Sequence, residues 1–218
     1  MTDVPSAADV AYRHIRDAIL SGAYEPGTML GEIPLAREIG VSRTPVRAAL
    51  ALLQDEGWII RYPKRGALVR GLTDEVTKDL IDARFILEAT GVLRSSHSRR
   101  LQLRECLEAH IQAQREALAQ ADLPAFIEST IAYHRAFVEV GENQVLLELY
   151  GRLADRQRYL LFKLGPRLLE RAEAIIAEHQ DLLTGLIQDD PTSFSETLRK
   201  HLGDTSGQPV RPLCPPPS

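Results

Sequence analysis

Cysteine is almost missing from this 218-residue chain: there are two, Cys106 and Cys214, far apart and outside any CxxC spacing. Neither a disulfide framework nor a zinc finger can therefore carry the fold. No apolar run approaches the roughly 18 residues that a membrane-spanning helix needs. The opening MTDVPSAADV lacks the basic and apolar segments of a signal peptide, so a cytoplasmic location without membrane attachment is expected. A glycine loop for phosphate, a Glu-x-x-His ligand motif and a nucleophile–base pair are also missing, which weakens the rival reading of a metal-dependent enzyme.

What is present is an ordinary globular composition, 44% hydrophobic and 26% charged, enough apolar material for one large or two small cores. The formal net charge of −4 argues against a nucleic-acid partner only as an average. Residues 33–70 hold seven basic and three acidic residues, so a local excess of positive charge lies in the first third of the chain.

That region centres on Gly40 to Leu53, GVSRTPVRAALALL. Val46, Ala49, Leu50 and Leu53 follow the i, i+3, i+4, i+7 rule, which predicts a helix with one buried face. Ser42 or Thr44 can cap it, and Pro45 is tolerated in the first turn. Arg43 and Arg47 lie one turn apart on another face. Alone they fit a solvated helix surface as well as a reader of guanine edges or phosphates. Two further helices precede them, about 8–21 and 32–39, and Gly40 suits the tight turn of a helix-turn-helix. After Gly57, the β-prone runs 58–62 and 67–70 flank Pro63-Lys64-Arg65-Gly66, which predicts a hairpin with a basic tip. A hairpin directly after a helix-turn-helix is a wing. Lys64 and Arg65 can then reach phosphates, and Gly66 permits close backbone approach.

Residues 10–70, with GAYEPGTML, LAREIGVSRTPVRAAL, DEGWI and PKRGALV, resemble the winged helix of the GntR family of bacterial transcription regulators. The resemblance implies that Arg43, Arg47 and Gly66 contact DNA, with Thr44 and Arg65 as auxiliary contacts. A further contact arginine of some members is replaced here by Ile33.

Leu72-Thr73 reads as a short linker. From residue 74 no strand is expected; breaks divide the chain into six amphipathic helices, 74–97, 101–120, 123–140, 143–163, 167–188 and 191–202. The polar, proline-rich stretch 204–218 is expected to be unstructured. The fold class is thus mainly α, a winged helix-turn-helix over 8–71 followed by an all-α bundle over 74–203.

His134, His179 and His201 fall on three different helices of that bundle. Imidazoles converging from separate helices can bind a divalent metal, although scattered histidines are also ordinary surface or core groups. ARFILE near Arg84, YHRAFVEVGEN, EHQDLL and the terminal RKHL are similar to the FCD ligand-sensing domain of FadR-type GntR regulators. In many such domains an aspartate and three histidines hold zinc or nickel beside a carboxylate effector. The resemblance implies that role for His134, His179 and His201, but Thr130 stands where the aspartate would be. A neutral hydroxyl is a poorer ligand, so a three-histidine site and metal-free effector binding both stay open. Glu128 lies on nearly the opposite side of its helix and is no substitute. Arg84 can grip an effector carboxylate or pair with Glu88 at i+4. His14, His97 and His110 read as surface groups. The expected function is a dimeric regulator that binds an inverted-repeat operator and responds to a small carboxylic acid. A DNA-binding protein without an effector is a further alternative.

Overall fold

In the computed structural model, which describes residues 5–188 and 190–213, the chain divides into two compact units on either side of Leu72. The first contains α1 (Ala7–Leu20), β1 (Met29–Leu30), α2 (Glu32–Ile39), α3 (Arg43–Asp55), β2 (Ile59–Tyr62) and β3 (Gly66–Val69). Ser6 caps α1 through a reciprocal pair of hydrogen bonds with Asp9. The apolar faces are those the periodicity predicts: Ala11, Ile15 and Ile19 of α1 and Val46, Ala49, Leu50 and Leu53 of α3 are buried. Gly40 ends α2 at φ 76°, a left-handed conformation that costs glycine nothing.

The hairpin gains a third strand that the sequence did not signal. β1 pairs antiparallel with β3 through Met29↔Leu68 and Leu30↔Ala67, giving the order β1-β3-β2. Two residues are too few to show a period-2 pattern. The strand also explains Gly66: at φ 114°, a Cβ there would lie 2.4 Å from the Leu30 carbonyl oxygen. The glycine is required by the sheet, whatever else approaches it.

The second unit is helical throughout its described elements: α4 (Asp74–Arg94), α5 (His97–Gln102), α6 (Arg104–Ala119), α7 (Leu123–Glu139), α8 (Gln144–Leu164), α9 (Pro166–Glu170), α10 (Ala172–Ile187) and α11 (Pro191–Ser206). Thr73, Asp122, Asn143 and Asp190 cap α4, α7, α8 and α11 by accepting backbone N–H groups. Eight helices stand where six were expected, because two breaks hold short helices of their own. α5 precedes α6 with Leu103 between them, and α9 follows Gly165, whose φ of 51° and ψ of −127° suit only glycine.

α4 and α7 cross with their backbones in contact. A Cβ on Gly91 would fall 2.1 Å from the Phe137 carbonyl oxygen. This close approach sets the buried faces of the two helices against each other and brings the polar residues of α4 to the centre of the bundle. The expected unstructured stretch from 204 begins later than composition suggests. α11 runs on to Ser206, Val210 is buried, and the Arg211 backbone N–H donates to Asp82 Oδ1 at 3.3 Å. Val210 supplies an apolar anchor that the surrounding prolines hide from a composition count. Residues 214–218 of that stretch, with Cys214, lie outside the described residues.

Candidate nucleic-acid interface and candidate metal centre

The first turn of α3 and the β2–β3 turn border one groove of about 600 Å³, lined by Arg43, Arg47, Arg61, Lys64, Arg65 and Gly66 among others. Arg43 and Arg47 keep 52% and 55% of their side-chain surface exposed, so both guanidinium groups are available to a partner. Thr44, Lys64 and Arg65 are exposed as well. Lys64 takes a positive φ of 63°, and Arg65 N–H donates to the Tyr62 carbonyl oxygen at 3.0 Å, which closes the turn. Glu32, which the sequence reading passed over, sits in this groove: its Oε2 accepts from Arg43 Nη2 and Arg47 Nε, each at 2.8 Å. Those pairs span eleven and fifteen residues and leave no mark on a helical wheel.

In the second unit, α7, α10 and α11 bring His134, His179 and His201 together in the core, with one ligating atom of each within 4.8 Å of the others. The Nε2 atoms of His134 and His201 are 3.2 Å apart, near the roughly 3.3 Å edge of a tetrahedral site with zinc–nitrogen bonds of about 2.0–2.1 Å. His179 Nε2 is buried without a hydrogen-bond partner.

The opposite nitrogen of each ring is engaged. His134 Nδ1 meets Glu88 Oε2 at 2.7 Å, His201 Nδ1 meets Glu178 Oε2 at 2.6 Å, and His179 Nδ1 meets Gln114 Oε1 at 2.8 Å. An ionised carboxylate and an amide oxygen only accept, so each contact places a ring proton on Nδ1, and in a neutral ring the lone pair is then on Nε2. Burial pushes His134 down to about 4 and His179 well below the ordinary imidazole value, so both rings are neutral near pH 7. This donor set fits a borderline divalent cation: imidazole nitrogen ligands, oriented from behind, with one orphaned atom.

Arg84 realises the intrahelical alternative, since its Nε donates to Glu88 Oε1 at 3.0 Å. Its Nη2 nevertheless remains buried without a partner, as do Gln157 Nε2 and Thr130 Oγ1. All three residues line one small cavity of about 20 Å³ together with His134 and His201. That is room for about one water, so a larger ligand requires the walls to part. Glu88 completes the arrangement by also accepting from the Tyr150 hydroxyl at 3.0 Å. Burial alone would raise the Glu88 carboxyl. The Arg84 charge, together with His134 and the hydrogen bonds from His134 and Tyr150, outweighs it and holds the group below the usual carboxylate range.

The three remaining histidines divide. His14 is exposed and bonded to Glu38 at 2.8 Å, whereas His97 and His110 are half-buried rather than on the surface. Among the described residues, no helix is long and apolar enough to cross a membrane.

A three-helix unit with a three-stranded wing, followed by a helical domain with an interior cluster of ligating side chains, defines a class: DNA-binding regulators with a separate sensing domain. Residues 7–69 match the family described as bacterial regulatory proteins, gntR family, and residues 79–204 match the FCD domain. The chain belongs to the GntR family, in its FCD-containing, FadR-type branch. It is 27% identical over 198 residues to the gluconate operon transcriptional repressor of Bacillus licheniformis, covering 89% of this chain and 81% of the relative. It is 26% identical over 200 residues to the HTH-type transcriptional repressor RspR of Escherichia coli, covering 89% and 85%. The crystal structure of a putative GntR transcriptional regulator from a Rhodococcus species shares the fold, with a TM-score of 0.76 at 21% identity, over 93% of this chain and 97% of that one. The family and these relatives are transcription regulators, not enzymes.

Proposed function

We propose that this protein is a cytoplasmic repressor that binds an inverted-repeat operator as a homodimer and is released by a small carboxylic acid. Its helical domain holds that effector beside a divalent metal, zinc or nickel. The observation that carries the sensing half is the buried cluster of His134, His179 and His201, two of which, His134 and His201, line a cavity whose wall also holds four residues with unpartnered polar atoms, Arg84 Nη2, Gln157 Nε2, Thr130 Oγ1 and Thr205 Oγ1. An unpartnered buried polar atom is costly, so such a cluster points to a ligand.

His134, His179 and His201 would hold the metal through Nε2, and Glu88, Gln114 and Glu178 keep the rings turned toward it. When bound, the metal supplies a Lewis-acidic centre for a carboxylate oxygen. Arg84 Nη2 offers a charge-assisted hydrogen bond to the same carboxylate, and Gln157 Nε2 and Thr130 Oγ1 offer neutral ones. On the DNA side, Arg43 and Arg47 supply base contacts with Thr44 beside them, while Lys64, Arg65 and the Gly66 backbone approach phosphates. A two-fold dimer places two such surfaces on a two-fold symmetric site. The effector changes operator affinity only by binding the DNA-competent and DNA-incompetent states unequally.

Metal-free effector binding is the second reading, favoured by the neutral Thr130 hydroxyl in the cavity wall. One experiment separates the two. Purified protein is stripped with chelator, reloaded with zinc or nickel, and its melting temperature is followed against a panel of small carboxylic acids. Stabilisation by an acid that requires metal supports the first reading, and equal stabilisation without metal supports the second. An unchanged melting temperature with every metal and acid refutes the sensing role.

A further inference from the structure

Glu32 is the first residue of α2, and it is the one acidic side chain among the described residues lining the groove between α3 and the wing. Five cations share that groove: Arg43, Arg47, Arg61, Lys64 and Arg65. The Glu32 side chain is 21% exposed, against 52% and 55% for Arg43 and Arg47, so the carboxylate is the less exposed partner of two exposed guanidinium groups. The hydrogen bond from Arg43, joined by that from Arg47, holds its carboxyl below the usual range, and it is ionised at neutral pH.

Two effects follow from one oxygen accepting from both arginines. The first is aim. With Nε engaged by Glu32, Arg47 keeps both Nη groups free, and these are the atoms that bond guanine O6 and N7 side by side. A long side chain held at one nitrogen also loses less freedom when it meets a base. The second is charge. A carboxylate between the two arginines lowers their combined charge, which weakens attraction to any phosphate regardless of sequence.

We propose that Glu32 is a positioning and specificity-setting residue, a carboxylate that orients Arg47 for base reading while suppressing the capture of Arg43 and Arg47 by arbitrary phosphates. The proposal rests on the reading of Arg43 and Arg47 as DNA contacts. Its element of regulation is local: the protein holds its two reading arginines on an internal anion whenever DNA is absent.

The test uses the full-length protein and a duplex of about 30 base pairs that the wild type enriches from a randomised pool, with a base-shuffled copy as the non-specific probe. Both affinities are measured over a range of salt for the wild type, Glu32→Gln and Arg47→Ala. Glutamine keeps the size and one acceptor but removes the charge. The expected result for Glu32→Gln is shuffled-duplex binding at least threefold tighter at about 50 mM salt, with a salt slope steeper by about 0.9, the value of one newly available phosphate contact. Discrimination between the two duplexes should fall several-fold. The slope does not depend on the fraction of active protein, so partial misfolding cannot imitate it. Equal changes on both duplexes with an unaltered slope would overturn the role of Glu32 alone, provided Arg47→Ala still loses discrimination. A wild-type protein that enriches no duplex, or an Arg47→Ala variant with full discrimination, would overturn the underlying reading and this proposal with it.

Discussion

Replacing Glu88 with glutamine removes one charge from a cluster in which every neighbour depends on it. The carboxylate is fully buried and accepts from Arg84 Nε at 3.0 Å, His134 Nδ1 at 2.7 Å and the Tyr150 hydroxyl at 3.0 Å. Three donors converge on two acceptor oxygens. A glutamine amide has one oxygen, and its NH₂ would meet at least one of those donors head-on. Arg84, itself buried, would also keep its charge without a counter-ion. Breaking a buried pair from one side costs about 3–5 kcal/mol. For a domain of this size that corresponds to a fall in melting temperature of about 10 °C.

The reasoning has a second arm, because the cost arises from the stranded guanidinium rather than from the lost contact. Arg84→Met in the Glu88→Gln background removes the stranded charge, and a double variant should recover a good part of the loss, about 1–4 kcal/mol. Thermal and urea unfolding of the metal-free wild type, both single variants and the double variant form the cycle. If Glu88→Gln melts within 2 °C or so of the wild type, or if the double variant melts no higher than Glu88→Gln, the argument is wrong. The same substitution removes the carboxylate behind His134, so metal affinity should fall about 10–100-fold by the mechanism that fixes ring orientation.

Acid should weaken the metal-free domain through its buried imidazoles. His134 is pushed down to about 4 by burial, so below pH 6.5 the unfolded chain takes a proton that the folded one refuses; stability then falls by on the order of 2 kcal/mol from pH 6.5 to 5, seen as a lower urea midpoint, and a flat profile would contradict it. Gly91→Ala places a methyl group 2.1 Å from the Phe137 carbonyl oxygen and 2.9 Å from Val138 Cα, so α4 and α7 must separate. The expected cost is at least about 1–3 kcal/mol, and a wild-type urea midpoint would show that the two helices give way freely. Arg47→Ala should lose about 1–3 kcal/mol of operator binding with relaxed preference at one base position; a uniform loss on all duplexes would make it a phosphate contact instead.

Much of the first unit was legible because its signals are local. The spacing of Val46, Ala49, Leu50 and Leu53 set the face of α3, and with that face buried Arg43 and Arg47 had to project outward. β1 was not legible, since its two residues owe their conformation to β3 rather than to any pattern of their own. Its consequence reached Gly66, which sequence reading tied to DNA and the structure ties to the Leu30 carbonyl. In the helical unit the Arg84–Glu88 pair was visible as an i+4 spacing and is formed. The partners of the histidines were not visible. Glu178 precedes His179 in sequence yet bonds His201, and Glu88 reaches His134 across 46 residues. Helix crossings, not spacing, choose such partners.

Those partners also settle which charges count in the proposed metal site. Thr130 contributes none, and two carboxylates, Glu88 and Glu178, stand behind the imidazoles. Each, however, is already paired with an arginine: Glu88 with Arg84 at 3.0 Å and Glu178 with Arg171 at 2.6 Å. Three imidazoles, which bring no negative charge, and two balanced ion pairs would leave a bound dication uncompensated in a buried position, where an unpaired charge is expensive. An anion lowers that cost, and the unpartnered donors Arg84 Nη2, Gln157 Nε2 and Thr130 Oγ1 are the groups beside which it would enter. Under the proposed reading, the hydroxyl at Thr130 would favour a carboxylate effector beside a bound metal, and the binding of each would reinforce the other by the same factor.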